Sequence, residues 1–313
     1  MILTLTINPA LDQNVTADHL AFEDRGYILS THESAGGRGI NASRVIHSFG
    51  GETRAILTAG GETGSRLERF LEPCGFPVDI ARIRSATRVN LNISDRRGLT
   101  VKLNEAGPRM DASELNDLEE LIRSRLDEAQ WLMICGSMPP GVPMSFYTRL
   151  VALAREKGVK TLLDADSDAV RAGLAGRPVV VTPNQQEAER LLDAVLMTRV
   201  HYRDAVAKLV AMGAESAILS LASRGAVGCN AGHVYEVSPP QVEAVCPIGA
   251  GDALAAAFTW ALGNGKDFAD ALRWGVAAGT ASACLPGISF ASLEQVEQVY
   301  RKVQVRQTSA AMA

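Results

Sequence analysis

The stretch Cys246 to Phe258, CPIGAGDALAAAF, places one carboxylate, Asp252, directly behind Gly249-Ala250-Gly251 at the head of an apolar run. A turn that opens a helix leaves backbone N–H groups free, and glycines there let a phosphate come close to the main chain. A carboxylate beside a bound phosphate holds it poorly but is well placed to take the proton of a hydroxyl attacking it, the task a kinase sets. Asp is also a good helix cap, so base and cap both stand as readings of this motif.

Near the other end, AGGRGIN (Ala35 to Asn41) joins Gly36, Gly37 and Gly39 to Arg38 and Asn41. Glycine-rich backbone with a cation suits a sugar or phosphate contact, and equally a plain loop-to-helix turn. Arg25, Arg38 and Arg88 could converge on one anion, although an isolated arginine is commonly a solvated surface residue. TPNQQEAE sets Asn184 and Glu187 three residues apart across a strand end and first helical turn. Their hard oxygens suit Mg²⁺ held through water, or else form a capping box.

Other chemistries find no support. There is no G-x-x-x-x-G-K-[ST], and Leu254 stands where a dinucleotide fingerprint needs its last Gly or Ala. The five histidines lack metal-ligand spacing and no Ser/His/Asp arrangement stands out. The five cysteines are odd in number and widely spaced, which argues against a disulfide framework or a zinc site.

These residues need a framework, and 313 residues can bury a full core. The chain is 47% hydrophobic and 21% charged with a formal charge of −4, so it has no broad basic field for nucleic acid or an anionic membrane. Neither a secretory start nor an apolar run of about 18 residues is present, and a cytoplasmic location is expected.

Short apolar runs end in polar residues: WLMIC in Gly136-Ser137, TLL in Asp164, PVVV in Thr182-Pro183-Asn184, and AILSL around Ser220. Each reads as a buried parallel strand, with helices expected over about 143–157, 167–174, 185–192 and 202–212 between them. That alternation predicts an α/β, doubly wound, mostly parallel sheet whose ligands bind outside the carboxyl ends of the strands. TRVNLNISDRRGLTVKLNE instead alternates apolar and polar residues around a turn at Asp95 to Gly98, and its polar face groups Arg88, Asn90 and Asn92. This hairpin is expected to belong to a small antiparallel β lid built from about 12–35 and 85–108 on one domain spanning 1–313. DALAAAFTWALG and WGVAAGTASACL are small or apolar all round and should pack closely, while the tail from Arg306 is expected to be disordered.

In order along the chain, NPALD, AGGRGIN, TRVN, CGSMPPG, TPNQQE, SLASRGA and PIGAGD resemble the motifs of the PfkB carbohydrate kinases of the ribokinase-like fold. The subgroup most resembled contains 1-phosphofructokinase and tagatose-6-phosphate kinase. Pro247 and NEAGP (Asn104 to Pro108) look closer to the tagatose enzymes. The resemblance implies ATP and Mg²⁺ as cofactors, with fructose 1-phosphate or tagatose 6-phosphate as substrate and fructose 6-phosphate next in line.

It also implies roles. Asp252 is the general base, and the backbone of Gly249, Ala250 and Gly251 the anion hole. Asp12, Gly36, Gly37 and Asn41 hold sugar hydroxyls, with Asn90 on the same substrate face. Arg88, with Arg38 and Arg25, binds the phosphate already on the substrate. Asn184 and Glu187 organise Mg²⁺ and phosphate, while Ser220 and Gly225 line the nucleotide site. A homodimer through the lid is a further expectation.

Thr182 replaces the usual Lys before Pro-Asn, Ala222 the Gly of Ser-Leu-Gly, and Arg38 the Lys of Gly-Gly-Lys-Gly. Two rival readings follow. One is a catalytically weak sugar-phosphate sensor of the same fold, motivated by Thr182 and Ala222. The other is a kinase of an unphosphorylated sugar or nucleoside, which the arginines count against.

Overall fold

The computed structural model describes residues 1–21 and 24–309. Its strands are β1 (Ile2–Thr6), β2 (Ala10–Ala17), β3 (Ile28–Gly36), β4 (Thr53–Ala59), β5 (Val78–Arg82), β6 (Arg88–Asp95), β7 (Thr100–Asn104), β8 (Trp131–Gly136), β9 (Lys160–Ala165), β10 (Val180–Val181), β11 (Ser216–Ser220), β12 (Ala226–Asn230), β13 (His233–Ser238) and β14 (Gln304–Ser309). The helices are α1 (Arg38–Ser48), α2 (Gly61–Leu71), α3 (Ala112–Leu126), α4 (Ser145–Glu156), α5 (Ser167–Gly173), α6 (Gln185–Leu192), α7 (Arg199–Ala211), α8 (Ala250–Gly263), α9 (Phe268–Ala283) and α10 (Leu293–Tyr300).

Ten strands form the main sheet in the order β14-β13-β12-β11-β10-β9-β8-β1-β4-β5. From β5 to β11 all neighbours run parallel, and β12 to β14 extend the sheet antiparallel. Strand residues alternate between two apolar layers, as buried strands covered on both faces must. Leu3, Leu5, Leu132, Ile134 and Leu163 pack with Phe146, Tyr147 and Leu150 of α4 and Leu209 of α7. Ile2, Met133, Cys135 and Leu162 pack with Phe258 of α8 and Phe268 and Trp274 of α9 on the other side.

The small-residue helices α8 and α9 lie together as expected. Phe258 meets Phe268 edge-on at 5.4 Å between ring centroids, and Trp260 meets Trp274 at 5.4 Å in the same way. Such a pair of buried helices is a stiff support for whatever stands at its end.

Four strands form a second sheet in the order β3-β2-β6-β7. The expected hairpin is present as β6 and β7, and its outer pairs are antiparallel, but the central pair β2 and β6 runs parallel. Alternation in sequence marks a half-buried strand without revealing its neighbour's direction. Residues 22 and 23 of the expected 12–35 segment lie outside the described residues.

The tail departs from expectation. Residues 304–309 form β14, which pairs with β13 from Ser238 to His233, whereas residues 310–313 lie outside the described residues. Backbone hydrogen bonds to an open sheet edge order a segment that has little apolar pattern of its own.

Candidate active site

A cavity of about 710 Å³ opens between the small sheet and the carboxyl ends of the central strands. Thr6, Asn8, Asp12, Gly37, Arg38, Asn41, Arg88, Asn90, Asn104, Ser137, Asp166 and Asp252 supply its polar lining. The strand-end rule therefore places it correctly.

Asp252 stands in the first turn of α8 behind Gly249, the N-cap, whose φ of 83° favours glycine. No side chain caps this helix. Asn184 caps α6 instead: its Oδ1 accepts from the Glu187 N–H at 3.0 Å, and Glu187 accepts from the Asn184 N–H at 2.9 Å. The capping-box alternative is thus realised at α6, while α8 has no side-chain cap and the Ala250 N–H at its start donates to the Pro247 carbonyl at 3.2 Å.

The Asp252 carboxylate accepts from Asn41 Nδ2 at 2.7 Å. It reaches the cavity, yet protein surrounds it closely enough that desolvation, aided by the Asp164 charge, pushes its pKa up to about 7. That value suits proton uptake near neutral pH. On the small sheet, Asn90 Nδ2 donates to Asp12 Oδ1 at 2.9 Å, and burial raises the Asp12 pKa. Gly36 ends β3 against the Asp12 carboxylate.

The arginines do not share one role. Arg38 donates to Asp164 at 3.1 Å, Asp166 at 3.2 Å and Glu187 at 3.0 Å. Its guanidinium is thus held by three carboxylates while lining the same cavity as Arg88. Buried carboxylates demand a counter-charge, and burial has already raised the pKa of Asp164 and Glu187. Arg25 is exposed ahead of β3 and is not among the residues lining the cavity.

Arg88 lines the cavity and makes no salt bridge among the described residues. Its Nη1 and Nη2 donate to the carbonyls of Glu105 and Asn8, each at 2.9 Å, and Nε has no partner. Desolvation lowers its pKa, so an anion alongside would relieve it.

Asn184 and Ser220 are joined by a parallel bridge, which brings the ends of β10 and β11 together. Gly225 closes the short turn after β11, its carbonyl accepting from the Leu221 N–H at 2.8 Å. Ala222 adopts φ 52° in that turn, a left-handed conformation that costs a non-glycine residue about 1 kcal/mol. Among the described residues no three His, Cys, Asp or Glu side chains gather to hold a metal ion directly.

Sequence reading missed Asn8, Asp164 and Asp166 as members of the site. Asp164 ends an apolar strand, and that position was the available signal.

Residues 9–295 match the family described as pfkB family carbohydrate kinase. The chain belongs to that family. It is 30% identical over 284 residues to 1-phosphofructokinase of Borreliella burgdorferi, covering 90% of this chain and 92% of the relative. It is 27% identical over 308 residues to tagatose-6-phosphate kinase of Staphylococcus epidermidis, covering 97% and 99%. The solved tetrameric inhibited form of phosphofructokinase-2 from Escherichia coli superposes with a TM-score of 0.89 at 31% identity, covering 96% of this chain and 98% of that one. As a PfkB carbohydrate kinase, the protein has a ribokinase-like α/β architecture, and no helix among the described residues is long and apolar enough to cross a membrane.

Proposed function

We propose that this kinase transfers the γ-phosphoryl group of ATP to a hydroxyl of a ketohexose phosphate, fructose 1-phosphate or tagatose 6-phosphate, giving the bisphosphate. The observation that carries the reading is an arginine without a salt bridge, Arg88, facing the same cavity as Asp252. An unphosphorylated sugar would leave that cation without a salt-bridge partner.

Asp12, Asn90, Gly37 and Asn41 orient the acceptor's hydroxyls, and Arg88 holds its phosphate. The acceptor oxygen forms a bond to the γ-phosphorus as the bond to the ADP oxygen breaks, and its proton passes to the Asp252 carboxylate. Backbone N–H groups of Gly249 and Gly251, with that of Ala250 once released from the Pro247 carbonyl, stabilise the charge that develops on the transferred group. The four carboxylates Asp164, Asp166, Glu187 and Asp252 act on one cation, Arg38, a charge balance that suits a hard divalent ion. Mg²⁺, when bound, would neutralise nucleotide phosphate charge, and Asn184 and Glu187 would hold its waters through the oxygen lone pairs that their capping box and the Arg38 contact leave free. Ser220 and Gly225 border the nucleotide.

The test is ADP release with Mg-ATP against fructose 1-phosphate, tagatose 6-phosphate, fructose 6-phosphate and free fructose. Preference for one of the first two, by at least tenfold in kcat/KM over free fructose, is expected. No turnover with ATP, GTP or other donors, together with tight sugar-phosphate binding, would favour the sensor reading instead.

A homodimer through the small sheet is part of the same proposal, the sheet serving as lid as well. Ile28 pairs with Ala17, Ala17 with Asp95, and the Asp95 N–H bonds the Leu99 carbonyl, so exposed Ile28 and Leu99 belong to one row. Val101 and Leu103 on the edge strand β7 are exposed too. Clustered exposed apolar side chains mark contact surfaces. Light scattering should find a dimer that Leu103→Lys combined with Ile28→Lys converts to monomer; an unchanged mass would place the interface elsewhere.

A further inference from the structure

Asn8 follows β1 at the meeting of three walls of the cavity. It is only 3% exposed. Its carboxamide nitrogen donates to the Ala106 carbonyl at 3.0 Å and to Ser137 Oγ at 3.0 Å. A carbonyl oxygen can only accept, so the Ala106 contact fixes which end of the carboxamide is nitrogen. The side chain therefore ties the end of β1 to the 104–108 loop between β7 and α3, and to the segment that leaves β8.

Arg88 hangs on the same loop. One of its nitrogens donates to the Glu105 carbonyl and another to the Asn8 carbonyl, and the Glu105 carboxylate accepts from the Val89 N–H at 2.9 Å. Thus the loop that Asn8 grips at Ala106 orients Arg88 one residue earlier. The fit is close: a Cβ at residue 107 would fall 2.2 Å from Asn8 Oδ1. That Oδ1 is buried and has no hydrogen-bond partner. An unpartnered buried acceptor lowers stability, so packing alone would favour an apolar residue here.

We propose that Asn8 is a positioning residue that sets Arg88 against the substrate and thereby tunes selectivity for phosphorylated over unphosphorylated sugars. The proposal rests on the reading of the cavity as a sugar-phosphate kinase site. Asn8→Ala should raise KM for fructose 1-phosphate or tagatose 6-phosphate by about tenfold while kcat and the nucleotide KM stay within about twofold. Asn8→Asp, which keeps the shape and loses the donor, should move KM in the same direction, as should Gly107→Ala by displacing the carboxamide.

Combined with Arg88→Ala, Asn8→Ala should add almost nothing, because both act on one contact. Additive losses, or a nucleotide KM that rises in parallel, would overturn the positioning role. Amide hydrogen exchange over residues 104–110 needs no substrate and should quicken in Asn8→Ala; unchanged exchange also overturns the proposal. A parent enzyme that turns over no ketohexose phosphate would overturn the functional reading and, with it, the selectivity role. That failure is distinct, since loop exchange would then still respond.

Discussion

Asp252→Asn is expected to lower kcat by about a thousandfold or more while the sugar-phosphate Kd changes by less than about threefold. The amide keeps the shape of the side chain and a contact with Asn41, so binding survives, but it cannot accept the hydroxyl proton. In the parent enzyme kcat/KM should rise with pH through an apparent pKa of about 7 and level off above it, because only ionised Asp252 is a base. Asp164→Asn removes the neighbouring charge that helps hold that value up, so the acid limb should move to lower pH. A variant with turnover within tenfold of the parent would remove Asp252 from the mechanism.

The same substitution has a stability signature of opposite sign. Asp252 binds its proton more tightly folded than unfolded, so its favourable contribution is complete below pH 3.8 and is lost as the pH rises to about 7. Asparagine does not titrate. Its advantage over the parent should therefore grow between about pH 4 and 7 and stay constant above, reaching on the order of 4 kcal/mol. Thermal unfolding followed across that range reads it directly. On the proposed mechanism both effects have one source, a carboxylate held against its solvation.

Arg88→Ala should raise KM for a phosphorylated ketohexose by about a hundredfold, since charge-assisted hydrogen bonds contribute roughly 1.5–3 kcal/mol each. Turnover of free fructose, slow in the parent, should change by less than about threefold. Arg88 also donates to the carbonyls of Glu105 and Asn8. Were its role only to brace those loops, both substrates would suffer equally, and that result would assign substrate phosphate to another group.

Local pattern made much of this architecture legible. Helix α6 begins and ends where its capping box and apolar spacing predict, at Gln185 and Leu192, and the hairpin of β6 and β7 follows its alternation. Asp252 was recognisable because a charge at the head of an apolar helix has no packing reason to be there.

Contacts made across long stretches of chain were not legible. Arg38 reaches Asp164, 126 residues away, and no periodicity encodes that meeting. Asn8, Ala106 and Ser137 stand in the motifs NPALD, NEAGP and CGSMPPG, but nothing local to any of them shows that the fold brings the three together. The pairing of β14 depends on an edge strand rather than on its own composition.

In the proposed mechanism the transfer turn is at the head of α8, which packs against α9, whereas most of the groups assigned to the acceptor come from the small sheet and the loops beside it. Chemistry and recognition thus have separate foundations. On the proposed mechanism, substitutions at Arg88, Asn90 or the 105–108 loop would change acceptor preference while residues 249–252 stay untouched, so recognition could be altered without rebuilding the transfer centre.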